Sequence, residues 1–200
     1  MKYFYSVKNE ICEETKIKRS IFIAHLQYVE TMQTAKKYIT QIGEKHKNAN
    51  HNCWAYIVGE KGETFHSSDA GEPTGTAGKP ILNALSKHKM TNIVAVVTRY
   101  FGGVKLGVRG LIDAYGSVTE TAINSNILLK LVKLSEFKII TTYDFAEQLK
   151  YQIEKINGNI ANVDYAEKVS LEISIETHQK DELGKYLAEL EKAGKLSFIT

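Results

Sequence analysis

FHSSDAGEPTGTAGKP (residues 65–80) and NIVAVVTRYFGGVKLGVRGLIDAYG (residues 92–116) are the two stretches that decide how this chain is organised. They hold eight of the fourteen glycines, from Gly71 to Gly116, and both prolines. Glycine lets a backbone turn through positive φ and approach a ligand closely, whereas proline fixes φ and lacks an N–H donor. The composition therefore predicts two functional loops, separated by one helix and one strand.

The second stretch predicts an anion-binding surface. A strand followed by a glycine loop and a helix presents free N–H groups and the positive end of the helix dipole. The loop and its edges also carry two of the only three arginines in the chain. We predict contacts with nucleic acid or another anion from Lys79, Arg99, Tyr100, Gly102, Gly103, Lys105, Gly107 and Arg109. A second interpretation, in which the glycines serve only a tight strand-to-helix connection, stays open at this point.

The first stretch is not a Walker phosphate loop. Pro73 stands where that motif needs its first glycine, and Pro80 stands where it needs the magnesium-binding Ser or Thr. Asp69 and Glu72 could ligate magnesium or act as acid and base. Short carboxylates in loops also cap turns and helix starts. The sequence leaves both roles open.

A metal site on the preceding strand is a weaker hypothesis. His51 and Cys53 alternate along one strand face and could share a metal with His66. Two ligands on one strand without a second pair are more typical of a buried polar core, which is the interpretation that we favour.

Hydrophobic periodicity predicts the elements around these loops. In residues 51–58, His51, Cys53, Ala55 and Ile57 should face one side of a strand, with Trp54, Tyr56 and Val58 on the other. In the helix predicted at 108–126, the apolar positions Leu111, Tyr115, Val118 and Ala122 follow i, i+4, i+7 and i+11 spacing. Gly116 falls inside this helix and suggests close packing there. We predict strands at 5–14, 18–26, 51–58 and 92–100, a hairpin strand at 63–66, and helices at 31–47, 80–89 and 108–126.

The last third of the chain has a pattern of its own. We predict a strand at 137–143, a helix at 145–157, two strands within 159–177, a helix at 180–193 and a strand at 195–200. The order β-α-β-β-α-β is the ferredoxin-like one. We therefore expect two domains, 1–133 and 134–200.

The charge distribution also separates the two parts. Residues 1–133 contain 18 Lys and Arg against 11 Asp and Glu, a net charge of +7. Residues 134–200 contain 8 Lys against 12 Asp and Glu, a net charge of −4, and no arginine. This asymmetry suggests units with different partners, the basic one facing a polyanion.

The remaining composition narrows the class of protein. At 43% apolar and 24% charged residues, the chain is typical of a globular protein. No apolar run reaches the roughly 18 to 20 residues that span a bilayer, and the first residues do not resemble a signal peptide. Cys12 and Cys53 form neither a CxxC pair nor a disulfide framework. We expect a cytoplasmic protein with no membrane partner.

Three long motifs resemble those of the IMPACT/YigZ family: SDAGEPTGTAGKP (68–80), TRYFGGVKLGVRGLIDAYG (98–116) and AxHxCWAY (49–56). Lys18, Ser20 and Phe22 supply a shorter KxSxF match. The resemblance covers essentially the whole chain, including the acidic C-terminal domain of bacterial members. The shared motif falls on Asp69, Gly71, Glu72, Pro73, Gly75, Thr76, Gly78, Arg99, Tyr100, Gly102, Gly103, Leu106 and Gly107.

This resemblance implies an α+β fold of two domains. The N-terminal domain would be an α/β sandwich like the second domain of certain ribosomal proteins and elongation factors. The C-terminal domain would be ferredoxin-like and similar to the RNA-contacting domains of elongation factor G. The family implies no catalytic activity and no cofactor. Its eukaryotic members regulate translation through a starvation-responsive kinase pathway, using an additional domain that this chain does not have.

The chain departs from the family pattern at three positions. Ala70 stands where a second acid is frequent, which weakens a two-carboxylate metal site. Arg109 stands where glycine is frequent, so the loop is more cationic. Ile21 replaces a usual arginine, which removes one basic contact of the first domain.

Three functions follow as expectations. The first is a non-enzymatic protein that binds RNA or a ribosome-associated partner through the surface of residues 66–110. The second is a metal-dependent phosphoryl or nucleotide enzyme that uses Asp69 and Glu72. The third is a protein-interaction module in which the acidic domain docks a partner.

Overall fold

The computed structural model describes residues 4–199 and contains two compact units. The first unit ends at Leu131 and the second begins at Val132. The elements of the first unit are β1 (Phe4–Val7), β2 (Ile11–Ile17), β3 (Ser20–Tyr28), α1 (Met32–Lys45), β4 (His51–Val58), β5 (Thr64–Ser68), α2 (Gly78–Lys87), β6 (Ile93–Tyr100), α3 (Gly107–Asn124) and β7 (Leu128–Leu131).

A five-stranded antiparallel sheet forms the centre of the first unit, in the order β2-β3-β6-β4-β5. Cys53, Ala55 and Ile57 of β4 join the core that α2 and α3 cover. Tyr56 and Val58 of the same strand join a second core with α1. The predicted alternation along β4 is confirmed, and it places helices on both faces of the sheet because both faces of the strand are apolar.

The N-terminal strand prediction was partly wrong. Residues 5–14 form two strands, β1 and β2, and β1 leaves the main sheet to pair with β7. The register joins Phe4 to Leu131 and Val7 to Leu128. Four-residue strands carry too little periodicity to be recognised alone, and β7 was not predicted. The two segments are more than 120 residues apart, so their pairing depends on tertiary structure.

Helix α3 follows the predicted apolar spacing. Leu111, Tyr115, Val118 and Ala122 are all buried against the sheet. The close packing predicted at Gly116 is wrong, because apart from its chain neighbours and its own helix backbone no atom lies within 4 Å of where its Cβ would stand. The apolar stripe of the helix lies on other positions, and Gly116 faces open space.

Gly116→Ala should therefore raise the free energy of unfolding by about 1 kcal/mol, the difference in helix propensity between the two residues. Urea unfolding measures this change. Gly78, the first residue of α2, is the contrasting position, because a Cβ there would lie 2.7 Å from the backbone nitrogen of Ser68. Gly78→Ala should lower stability, and equal changes at the two positions would contradict this assignment.

The second unit has the predicted β-α-β-β-α-β order. Its elements are β8 (Leu134–Thr141), α4 (Tyr143–Lys155), β9 (Asn159–Tyr165), β10 (Val169–Glu176), a 3-10 turn (Thr177–Gln179), α5 (Lys180–Lys192) and β11 (Leu196–Ile199). The strands pair antiparallel in the order β11-β8-β10-β9. Thr200, the end of the last predicted strand, lies outside the described residues. The predicted α+β class is confirmed.

Within residues 4–199, no helix combines the length and apolar character needed to cross a membrane.

Candidate functional site

Asp69 ends the hairpin of β4 and β5 and caps helix α2. Its carboxylate accepts from the backbone N–H groups of Gly75, Ala77 and Gly78 at 2.8 to 2.9 Å. Burial alone would raise the pKa of Asp69, but these three N–H groups outweigh it and hold the pKa below its ordinary value. Asp69 therefore neutralises the positive end of α2, which is the capping role left open by the sequence.

Glu72 has a different environment and forms a buried ion pair with Arg99. The Arg99 Nη1 donates to Glu72 Oε1 at 2.7 Å, and the two side chains are 6% and 4% exposed. Arg99 lies near the end of β6, directly opposite His51 of β4 in the sheet register. The guanidinium lies 5.5 Å from the ring centre of Phe22 and 5.3 Å from that of Phe101. Stacking on aromatic faces suits an arginine that is withdrawn from water.

A chain of buried polar groups continues from Glu72 into the core. Tyr115 donates its hydroxyl hydrogen to Glu72 Oε1 at 2.9 Å, and the Cys53 thiol donates to the Asp69 carbonyl oxygen at 2.8 Å. Cys53 Sγ also lies 3.4 Å from the Tyr115 hydroxyl. Burial raises the pKa of the Cys53 thiol to about 12. Burial, together with the neighbouring Cys53 and Glu72, also raises the pKa of the Tyr115 hydroxyl well above its ordinary value. Both groups therefore stay protonated near neutral pH.

His51 lies at the edge of this chain. Its Nδ1 donates to the Ala70 carbonyl oxygen at 3.0 Å, and its Nε2 lies 3.9 Å from Glu72 Oε2. His66, the third residue of the metal hypothesis, contacts the ring of Tyr56 instead. Residues 4–199 contain no cluster of three or more His, Cys, Asp or Glu side chains that could hold a metal.

A cleft of about 390 Å³ opens above the ion pair. Its lining includes the polar side chains of Glu72, Arg99, His51 and Lys105, together with the first residues of α3. Its apolar lining comes from Pro73, Phe101, Leu106, Val108 and Leu111. The cleft therefore combines apolar walls with a few polar groups, which is typical of ligand sites.

Lys105 lines this cleft, and the N-terminus of α3 with Arg109 in its first turn follows directly in the chain; we call these three features the basic rim. Lys105 and Arg109 are exposed, and neither forms an ion pair with another side chain of residues 4–199. Leu106 at the N-cap offers no side-chain acceptor, and the first turn contains no acidic residue. Unlike α2, which Asp69 neutralises, α3 has no side-chain hydrogen bond at its N-cap in the described part of the chain.

The other predicted anion contacts have varied surroundings. The Tyr100 hydroxyl lies 2.9 Å from His46 Nδ1. Gly103 and Gly107 have φ of +85° and +75°, which the turn into α3 requires. Lys79 is exposed near the start of α2. Lys105 and Gly107 line the cleft together with Arg99, which is held in its buried ion pair, whereas Arg109 is exposed in the first turn of α3.

Three further residues join the site without having been predicted as part of it. Tyr115 was expected only as an apolar residue of α3. Ser20 was expected only as a motif residue, but its hydroxyl lies 3.4 Å from both Arg99 Nη2 and the Gly102 nitrogen. Arg19 is the third arginine, and its carbonyl oxygen faces Gly102. Arg19 and Ser20 lie within the KxSxF motif, but only the folded sheet brings them next to the loop that follows β6.

Comparisons with known proteins bear on the whole chain. The family model of the Impact N-terminal domain matches residues 18–123. The Bacillus subtilis protein "IMPACT family member YvyE" is 34% identical over 98% of this chain and 93% of its own length. The Escherichia coli "IMPACT family member YigZ" is 31% identical over 92% of this chain and 91% of its own.

A solved structure and a eukaryotic relative extend these comparisons. A crystal structure of a hypothetical protein aligns with 100% of this chain and 98% of its own at 28% identity, with a TM-score of 0.63. The human "Protein IMPACT" is 32% identical over 45% of this chain and 29% of its own length. The family match, the bacterial relatives and the motifs around the cleft agree, and this chain belongs to the IMPACT family.

Proposed function

We propose that this protein binds RNA through the basic rim, as a non-enzymatic factor that acts on translation. The proposal rests on one observation. Two cations that form no ion pair, Lys105 and Arg109, lie next to the N-terminus of α3, which has no side-chain cap. Phosphate oxygens accept hydrogen bonds from such side chains and from helix N-termini. The net charge of +7 over residues 1–133 adds long-range attraction for a polyanion.

Arg99 has a supporting role in this proposal. Its guanidinium is paired with Glu72, so direct contact with phosphate falls to the exposed cations.

The free thiols of Cys12 and Cys53 and the family resemblance support a cytoplasmic setting, where ribosome-associated partners occur.

Replacing Lys105 and Arg109 together by alanine should weaken binding of a single-stranded RNA 20-mer roughly 10- to 30-fold near 0.1 M salt. The plot of log affinity against log salt should become shallower by about 1.4, since each lost phosphate contact with a single strand removes about 0.7 from the slope. Fluorescence anisotropy over a salt series measures both quantities.

Lys36 and Lys37 provide the matched control. Both are exposed on α1, which covers the opposite face of the sheet. Their double alanine variant removes the same charge but should leave the salt slope nearly unchanged. If both double variants lose the same affinity, binding follows net charge alone and the basic rim is not the site.

Metal-dependent phosphoryl chemistry at Asp69 and Glu72 stays a prediction with less support. Three N–H donors already occupy the Asp69 carboxylate, and Arg99 and Tyr115 occupy Glu72 Oε1. Docking of a protein partner on the acidic second unit also stays a prediction, and loss of that partner from a fragment of residues 1–133 would support it.

A further inference from the structure

The floor of the cleft contains an acceptor with no hydrogen-bond donor. Glu72 Oε1 already accepts from Arg99 and Tyr115. Glu72 Oε2 accepts no hydrogen bond from the described residues, and its ion-pair neighbour, His51 Nε2, is 3.9 Å away. The Glu72 side chain is only 4% exposed, and Glu72 lines the cleft. Oε2 is not among the buried side-chain atoms of the described residues that lack a partner, so it reaches the open cleft, where a ligand can donate a hydrogen bond to it.

This acceptor determines which chemical group the cleft can hold. A carboxylate oxygen accepts hydrogen bonds and cannot donate them. A phosphate placed against it would meet an acceptor of like charge. A neutral group with an N–H donor would instead complete the hydrogen bonding of Glu72. Phosphate therefore belongs at the basic rim, and a neutral donor belongs at the floor.

The aromatic and apolar lining of the cleft favours a planar group. Phe101 is 43% exposed, and the Arg99 guanidinium lies over its ring, 5.3 Å from the centre. Leu106, Val108 and Leu111 supply further apolar surface. A cleft of about 390 Å³ can enclose a planar heterocycle, since pockets for small ligands start at roughly 300 Å³. Aromatic rings beside basic groups are the usual platform for unpaired bases.

We propose that the cleft binds one unpaired nucleobase of the RNA whose phosphates the basic rim holds. Phe101 stacks on the base, and Glu72 Oε2 accepts from its exocyclic amino group. Adenine, cytosine and guanine offer an exocyclic amino group to this acceptor, whereas uracil offers only its ring N3–H. The cations of the rim repel a lysine or arginine side chain from a protein partner, which favours a nucleotide as occupant. This inference rests on the proposed RNA binding.

The experiment compares two single-stranded decamers at the same salt, oligoadenylate and an abasic ribose-phosphate chain of equal length. The wild-type protein should bind oligoadenylate roughly tenfold more tightly, as base stacking on an aromatic ring implies. Phe101→Ala should remove this preference and leave the affinity for the abasic chain unchanged. Phe65→Ala is the control, since Phe65 is 58% exposed on β5 and does not line the cleft.

The outcomes separate this inference from the proposed function. Equal affinity of the wild type for both decamers would overturn the base pocket and leave phosphate binding intact. Absence of binding to either decamer would overturn both. A preference that survives Phe101→Ala, or that Phe65→Ala removes equally, would place the base elsewhere. Oligouridylate bound as tightly as oligoadenylate would overturn the contact between Glu72 and an exocyclic amino group. Binding of an arginine-rich peptide in preference to both decamers would assign the cleft to a protein partner.

Discussion

Arg99→Ala should lower the free energy of unfolding of the first unit by about 3–5 kcal/mol, the usual cost of removing one partner of a buried ion pair. The substitution would leave the Glu72 carboxylate, which is 4% exposed, without its guanidinium partner. It would also remove the cation that lies over the rings of Phe22 and Phe101. Urea unfolding followed by circular dichroism measures the change.

Arg109→Ala is the matched control for this prediction. The same side chain is lost ten residues later, but Arg109 is exposed and unpaired within residues 4–199. Surface substitutions of this kind stay within about 0.5 kcal/mol. Adding Glu72→Gln to Arg99→Ala should recover part of the lost stability, because a neutral amide costs less to bury than an unpaired carboxylate. A loss below about 1 kcal/mol for Arg99→Ala would show that the pair contributes little.

The same comparison separates folding from binding. Arg99→Ala would reduce RNA affinity by unfolding part of the protein, whereas Arg109→Ala would reduce it by removing a phosphate contact. Affinity should therefore be compared at temperatures where both variants remain folded. Any direct contribution of Arg99 would then appear as a change in salt slope.

Gly102→Ala should be the most damaging of the glycine substitutions in the second loop, with a loss of about 3 kcal/mol or more. A Cβ at this position would overlap the carbonyl oxygen of Arg19, which belongs to the turn between β2 and β3. The backbone cannot yield without shifting either that turn or the end of β6. Thermal and urea unfolding of the variant measure the loss.

Gly103→Ala tests whether this loop needs glycine for its backbone conformation, as distinct from the close packing at Gly102. Gly103 is the next residue, its φ is +85°, and no atom lies within 4 Å of where its Cβ would stand. Gly103→Ala should cost only about 1–2 kcal/mol, the strain of a left-handed backbone. If Gly103→Ala proves worse than Gly102→Ala, the loop is limited by its φ angles and the contact with Arg19 is unimportant.

Most of the helices and strands could be predicted because their signals are local. The alternation along β4 and the i, i+4, i+7 spacing in α3 correctly assigned their buried faces. The failures lie where local signals are weak. Strands β1 and β7 are four residues each, and each needs the other to be recognised. Gly116 was misread because a glycine in a helix looks the same in sequence whether or not anything packs on it.

The candidate site could be located from the sequence but its internal arrangement could not. Glycines, prolines and arginines marked residues 65–116 as the region of interest. The roles of the two carboxylates stayed open until the structure showed Asp69 capping α2 and Glu72 paired with Arg99. Both are short acidic side chains in one loop, and nothing in their immediate neighbours distinguishes them.

What the sequence determined by itself is therefore the element pattern, the two glycine-rich loops and membership of the IMPACT family, since each depends on residues close together in the chain. Only the tertiary structure decided which cations face solvent. Arg99 and Arg109 are ten residues apart, yet β6 turns one toward Glu72, 27 residues away, and α3 leaves the other exposed. Burial and pairing are set by contacts between distant segments, because the sheet brings those segments together. The same contacts placed Glu72 Oε2 at the floor of the cleft without a donor.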